Sequence, residues 1–283
     1  MCFQSLLTKD VLLENLDKED WLVFDCRSNL LDQRWGQTQF EVSHIPGAFY
    51  VDLNNVLSSA VVVNKTGRHP LPSVAEFLQH LKGWGVTKNH QLVIYDQKEG
   101  MFASRLWWLL RWCGFSDVAV LDGGWMSWQG HEVQVGLNIP VSGSIALCVD
   151  ANSEMFVSAN VIEASLDHDT LLLIDARSAD RYRGENEMID TKAGHIPGAI
   201  SSPFVNNLTS DGYFLSQDEL RAYYKNILGE SNASDAVVYC GSGVTATHNI
   251  LAMYYAGLGM ARLYPGSWSE WIVDNNRPIA IGD

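Results

Sequence analysis

Nothing in this sequence pairs its cysteines. The five, Cys2, Cys26, Cys113, Cys148 and Cys240, form no CxxC pair and no zinc-type spacing. An odd, scattered set argues for a reducing compartment rather than a disulfide framework. Positive charge is also scarce: Lys and Arg number 19 against 33 Asp and Glu, a formal net charge of −14. That balance disfavours nucleic acid and anionic membrane as partners. It leaves room for a small anionic ligand, because local basic groups decide such binding. Long apolar runs are missing too. The most apolar stretch, Leu106 to Phe115, is interrupted by Arg111 and is too short to span a bilayer. Met1 to Leu16 mixes acidic with apolar residues and has no signal-peptide h-region. A soluble cytoplasmic protein is the expectation. With 283 residues, 47% hydrophobic and 18% charged, the chain can bury a sizeable core. Its length suggests about two domains.

The order of motifs repeats. Strand Trp21–Phe24 runs into Asp25-Cys26-Arg27, and Leu171–Ile174 into Asp175-Ala176-Arg177. His44-Ile45-Pro46-Gly47-Ala48 returns as His195-Ile196-Pro197-Gly198-Ala199. Strand Leu92–Tyr95 matches Val237–Tyr239, and Val118–Leu121 matches Arg262–Tyr264. Gly123-Gly124-Trp125 after the former answers to Gly266-Ser267-Trp268 after the latter. An offset of about 150 residues is a duplicated domain, not a solenoid. Helical patterns lie between these strands, at Val11–Leu16, Val74–Trp84 with Ser73 as N-cap, and Phe102–Cys113. Alternating strands and helices predict an α/β fold with a mostly parallel sheet in each half. The expected domains are 1–137 and 155–283, with the linker at Gly136 to Glu154.

One stretch carries chemistry. The β-branched run Ala236 to Tyr239 ends in Cys240-Gly241-Ser242-Gly243-Val244-Thr245-Ala246, where an apolar helical pattern begins. A thiol between a strand end and a helix start faces converging backbone N–H groups, which favour thiolate. Glycines let the loop curl around the sulfur. The competing reading is a buried, inert cysteine. The repeat argues against it: aligning Tyr95 with Tyr239 puts Asp96 opposite Cys240, so only the second half keeps a nucleophile. Ligand crevices in such sheets lie at the carboxyl ends of strands, where Cys240 falls.

Together, the paired Asp-x-Arg and His-Ile-Pro-Gly-Ala motifs, the Cys240–Ala246 loop and Gly266-Ser267-Trp268-Ser269-Glu270-Trp271 resemble the two-domain rhodanese family of sulfurtransferases. The resemblance covers nearly the whole chain and implies two tandem rhodanese-like domains, the first inactive. The loop is similar to that of 3-mercaptopyruvate sulfurtransferases. Thiosulfate-preferring members carry basic residues after the cysteine, where this chain has Gly241 and Ser242. The resemblance implies sulfur transfer from 3-mercaptopyruvate, a small anionic donor, through a Cys240 persulfide to cyanide or a thiol acceptor such as a small thiol or a thioredoxin-like protein. No metal or organic cofactor is implied. Backbone N–H groups of Gly241, Gly243, Val244, Thr245 and Ala246 are expected to stabilise the sulfur anions.

The family's substrate arginine corresponds to Arg181, in Asp180-Arg181-Tyr182-Arg183-Gly184. A second arginine, expected before His195, is missing; Lys192 and Arg68 are the candidates to replace it. A Ser-His-Asp relay would use Ser242, His44 and Asp32. Asp25–Arg27 and Asp175–Arg177 read as structural ion pairs. Thiosulfate sulfurtransferase is the alternative activity, and a non-catalytic binding module a remoter one. Cys-x5-Arg phosphatases share this fold, but Ala246 stands where their arginine would be.

Overall fold

In each half of the chain a central strand is buried along its whole length, and the rest is arranged around it. The computed structural model describes residues 2–136, 147, 149–166 and 171–283. Two units emerge: one of Met1–Ser59, Leu71–Asn152 and Ser210–Phe214, the other of Ala60–Pro70, Ser153–Thr209 and Leu215–Asp283.

The first unit contains strands β1 (Leu6–Leu7), β2 (Trp21–Asp25), β3 (Phe49–Tyr50), β4 (Gln91–Tyr95) and β5 (Val118–Leu121). They lie in the order β1-β5-β4-β2-β3, with every pairing parallel. Its helices are α1 (Lys9–Leu13), α2 (Trp35–Val42), α3 (Val74–Gly83), α4 (Ala103–Trp112) and α5 (Gly124–Ser127). The second unit has α6 (Ala159–Ser165), β6 (Leu172–Asp175), α7 (Ala179–Arg183), β7 (Ile200–Ser201), α8 (Gln217–Leu228), β8 (Ala236–Tyr239), α9 (Thr245–Tyr255), β9 (Arg262–Leu263) and α10 (Ser267–Trp271). Its sheet, β7-β6-β8-β9, is again parallel. A parallel bridge from Phe156 to Leu263 takes the place of β1. The two sheets therefore share one order, as the duplicated motifs predict.

The central strands β4 and β8 are apolar because parallel sheets are covered on both faces, and each of their residues is buried. Ser73 and Ser216 start α3 and α8 with capping boxes closed by Glu76 and Glu219. The expected helix at Val11–Leu16 begins earlier, since Thr8 caps α1 by accepting from Val11 N. Among the described residues no helix is long and apolar enough to cross a membrane.

The Asp-x-Arg motifs form twin buried ion pairs at the ends of β2 and β6. Asp25 Oδ2 meets Arg27 Nη2 at 2.6 Å, and Asp175 Oδ2 meets Arg177 Nη2 at 2.6 Å. Each guanidinium lies over an indole, Arg27 on Trp125 at 4.5 Å and Arg177 on Trp268 at 4.8 Å. Each also donates to the turn before the histidine motif, to Ser43 O and Gly194 O.

Two short loops belong to the unit of the opposite half of the chain. The loop 60–70 packs within the second unit, and 210–214 within the first. In the former case Gly67 lies so close to Gly266 O that a methyl there would come within 2.4 Å. Most of the expected linker, residues 137–146 and Cys148, lies outside the described residues.

Removing one partner of such a buried pair strands the other charge. Asp25→Ala should lower the unfolding free energy by about 3–5 kcal/mol, measured by urea titration. A loss below about 1 kcal/mol would mean that the Arg27 ion pair contributes little.

Candidate active site

The carboxyl end of β8 delivers Cys240 into a turn whose backbone is held on both sides. Cys240 N donates to Ser267 Oγ at 3.1 Å, Cys240 O accepts from Trp268 N at 2.9 Å, and Gly241 O accepts from Ser269 N at 2.9 Å. Gly243 N points back at Cys240 Sγ, 3.1 Å away. Gly243 has φ +80°, and a methyl there would fall 2.4 Å from Pro265 O, so only glycine fits. The N–H groups of Val244, Thr245 and Ala246 open α9, where a helix leaves its first donors without intrahelical acceptors. Cys240 is 2% exposed.

The first unit shows what such a turn holds when no cysteine is present. Asp96 follows β4 as Cys240 follows β8, and it too is buried. Its carboxylate accepts from Lys98 N, Gly100 N, Phe102 N and Ala103 N at 2.8 to 3.2 Å. Burial pushes its pKa up, and these four donors oppose that rise. The turn is therefore filled by its own anion. Trp125 N on Asp96 O, at 2.8 Å, repeats the tether of Trp268 N on Cys240 O.

Two guanidiniums cover Gly241. A methyl at this residue would stand 2.7 Å from Arg68 Nη2 and 3.4 Å from Arg181 Nη2. Arg68 is anchored by its own N–H on Ser269 Oγ, at 3.0 Å. Its Nη1 pairs with Asp190 Oδ1. Arg181 Nη2 reaches Asp190 Oδ2 at 3.0 Å, and Arg181 Nε reaches Glu187 Oε2 at 2.9 Å. Burial, with Arg181 as a like-charged neighbour, holds Arg68 below the usual arginine pKa, against the pull of Cys240 and Glu187. Of the two candidates for a second cation beside Arg181, Arg68 is the one at Gly241. Lys192 turns away, with Nζ on Asn275 Oδ1 at 2.8 Å.

Ser242 meets an imidazole, but not the expected one. Ser242 Oγ lies 2.8 Å from His69 Nδ1, and both residues are buried. His44 is instead a structural residue of the first unit. Its Nδ1 faces Phe40 O at 2.7 Å, its ring stacks on Phe40 at 3.8 Å, and its backbone bridges Gln134. His195 does the same in the second unit, with Nδ1 on Tyr182 O at 2.8 Å, the ring stacked on Tyr182 and the backbone on Ala280. A nitrogen facing a carbonyl carries a proton, and burial lowers the pKa of His44. Asp32 is exposed and accepts from Arg34 N at 3.0 Å in the turn before α2. It is therefore occupied in a surface turn. His69 carries no sequence signal beyond its place next to Arg68. Among the described residues no group of three or more His, Cys, Asp or Glu side chains is arranged to hold a metal.

Known proteins resemble this chain in sequence and fold. The model of the rhodanese-like domain matches residues 8–131 and 158–274. A probable 3-mercaptopyruvate sulfurtransferase of Pseudomonas aeruginosa is 44% identical over 286 aligned positions, covering 100% of both chains. A putative thiosulfate sulfurtransferase of Mycobacterium tuberculosis is 35% identical over 90% of this chain and 91% of its own. Among solved structures, 3-mercaptopyruvate sulfurtransferase from Leishmania major superposes with a TM-score of 0.82 at 30% identity, over 95% of this chain and 74% of its own. The chain belongs to the rhodanese-like family, in its two-domain sulfurtransferase form.

Ser267 has φ +54°, where its counterpart in the first unit is Gly124 at +53°. The serine accepts this strain because its Oγ takes the Cys240 N–H and donates to Tyr264 O at 2.9 Å. Ser267→Ala keeps the strain and loses the acceptor, whereas Ser267→Gly loses the acceptor and relieves the strain. Urea unfolding should rank wild type above Ser267→Gly, and Ser267→Gly above Ser267→Ala by about 1–2 kcal/mol. Equal stability of the two variants would show that the backbone is unstrained.

Proposed function

We propose that the protein moves sulfur from 3-mercaptopyruvate to a thiol acceptor through a persulfide on Cys240. The observation that carries this reading is the convergence of Arg68 and Arg181 on Gly241, next to a cysteine tethered at a helix start. A donor carboxylate takes guanidinium N–H groups there, an arrangement suited to bidentate pairing. The Cys240 thiolate attacks the donor sulfur; an S–S bond forms and the C–S bond breaks. The electron pair of the broken bond leaves as the enolate of pyruvate. Ser242, with His69 behind it, supplies the proton that the enolate carbon takes up. The outer sulfur then passes to an acceptor thiolate, and Cys240 returns as thiolate. Loop N–H groups of Gly243, Val244, Thr245 and Ala246 stabilise the sulfur anions. The Asp96 turn supports this role, since the equivalent loop in the first unit surrounds a carboxylate.

The other described cysteines are poor carriers. Burial pushes Cys26 well above the usual thiol range and Cys113 up to about 11. Cys2 is exposed, and a hydrogen bond to Asp117 raises it.

Thiosulfate as donor is the second reading, since the two arginines at Gly241 serve any small anionic donor. Against it, Gly241 and Ser242 put no basic side chain on the loop itself to stabilise departing sulfite.

Incubation with 3-mercaptopyruvate alone, followed by non-reducing mass spectrometry, tests the carrier. One added sulfur should map to the peptide with Cys240 and vanish with cyanide. Its appearance on Cys2, Cys26, Cys113 or Cys148 would overturn the reading.

A further inference from the structure

The cations of the site do not stand alone. Arg68 and Arg181 share Asp190, Arg181 and Arg177 share Glu187, and Arg177 holds Asp175. This one connected network contains as many carboxylates as guanidiniums, so it is neutral before any donor arrives. Within it Asp190 has a particular place. Its side chain is 4% exposed, whereas Arg68 and Arg181 are 32% and 17% exposed. Its two oxygens are divided between the two guanidiniums that face Gly241. Glu187 fixes its backbone by accepting from Asp190 N at 2.9 Å and from Ile189 N at 2.9 Å. Asp190 is thus a preset anion, held on the nitrogen fork that a donor's anionic end would use.

We infer that Asp190 is a specificity-determining residue that sets the charge of the accepted donor. By neutralising one cation of the Arg68–Arg181 pair, it admits a monoanion such as 3-mercaptopyruvate and disfavours a dianion such as thiosulfate. The inference rests on the sulfurtransferase reading above. The physical reason is like-charge repulsion in a partly desolvated site: every extra negative charge beside Asp190, Glu187 and the Cys240 thiolate is opposed more strongly than in water. A dianion brings one such charge more than a carboxylate. It also leaves as sulfite, still doubly charged, whereas 3-mercaptopyruvate leaves as a species that takes up a proton.

A merely structural Asp190, one that only holds the arginines in place, would affect both donors alike. A charge-setting Asp190 moves them apart. The test therefore reads the ratio of kcat/KM for thiosulfate to kcat/KM for 3-mercaptopyruvate in wild type, Asp190→Asn and Asp190→Glu. Asp190→Asn keeps the shape and removes the charge, so the ratio should rise roughly 10-fold or more, the scale of one charged hydrogen-bonding interaction. Asp190→Glu keeps the charge, and its ratio should stay near that of wild type. Arg68→Gln provides an independent arm should Asp190→Asn not fold. It leaves Asp190 in excess, so the ratio should fall. An unchanged ratio in Asp190→Asn, an equal loss with both donors, or a raised ratio in Arg68→Gln overturns the inference. Wild type inactive with both donors would overturn the sulfurtransferase reading itself, which separates the two failures.

Discussion

The architecture depends on a turn that follows a fully buried strand and directs backbone N–H groups back at the side chain that opens it. Buried donors need an acceptor, and both units supply one. In the first unit the acceptor is the Asp96 carboxylate, which takes four N–H groups and closes the turn. In the second it is Cys240 Sγ, which takes Gly243 N and lies beside the open start of α9. Both side chains accept from the turn, but only a cysteine there can carry sulfur as a persulfide. One turn is thus filled by the Asp96 carboxylate, and the other holds Cys240, the proposed sulfur carrier. The Asp-Arg-Trp stack beneath each turn, and the tryptophan N–H on the carbonyl of Asp96 or Cys240, explain why the backbone is alike in both.

Around Cys240 the second constraint is charge. Three arginines in a partly buried cluster would repel one another, and Asp175, Glu187 and Asp190 cancel them. Gly241 contributes by lacking a side chain, since any Cβ would displace Arg68. The loop 60–70 links these features. Gly67 packs on Gly266, Arg68 binds Ser269 and Asp190, and His69 binds Ser242, so one short segment furnishes both a cation and an imidazole.

The framework was legible because its signals are local. β4 and β8 are short runs rich in apolar and β-branched residues, Ser73 marks the start of α3, and the Asp-x-Arg pairs span two residues. Cys240 stood out against Asp96 because the repeat supplied its own control. A histidine present in both copies, each time before Ile-Pro-Gly, serves the fold of each copy, and its stacking on Phe40 or Tyr182 shows how. His69 was illegible for a different reason. It lies in a loop without periodicity, and its partner Ser242 is 173 residues away. Strands β3 and β7 are two residues long, too short for any alternation. Asp190 showed no pattern at all, because its meaning comes only from the two arginines it joins.

The claim that the turn after β8 is built for an anion can be tested at Cys240 itself. The measurement is the unfolding free energy of Cys240→Asp against Cys240→Ala. A carboxylate buried in an ordinary apolar pocket destabilises a protein by several kcal/mol. The account predicts that Cys240→Asp is at least as stable as Cys240→Ala, because the carboxylate takes the loop N–H groups as Asp96 does. A Cys240→Asp protein less stable than Cys240→Ala by about 2 kcal/mol or more would contradict it.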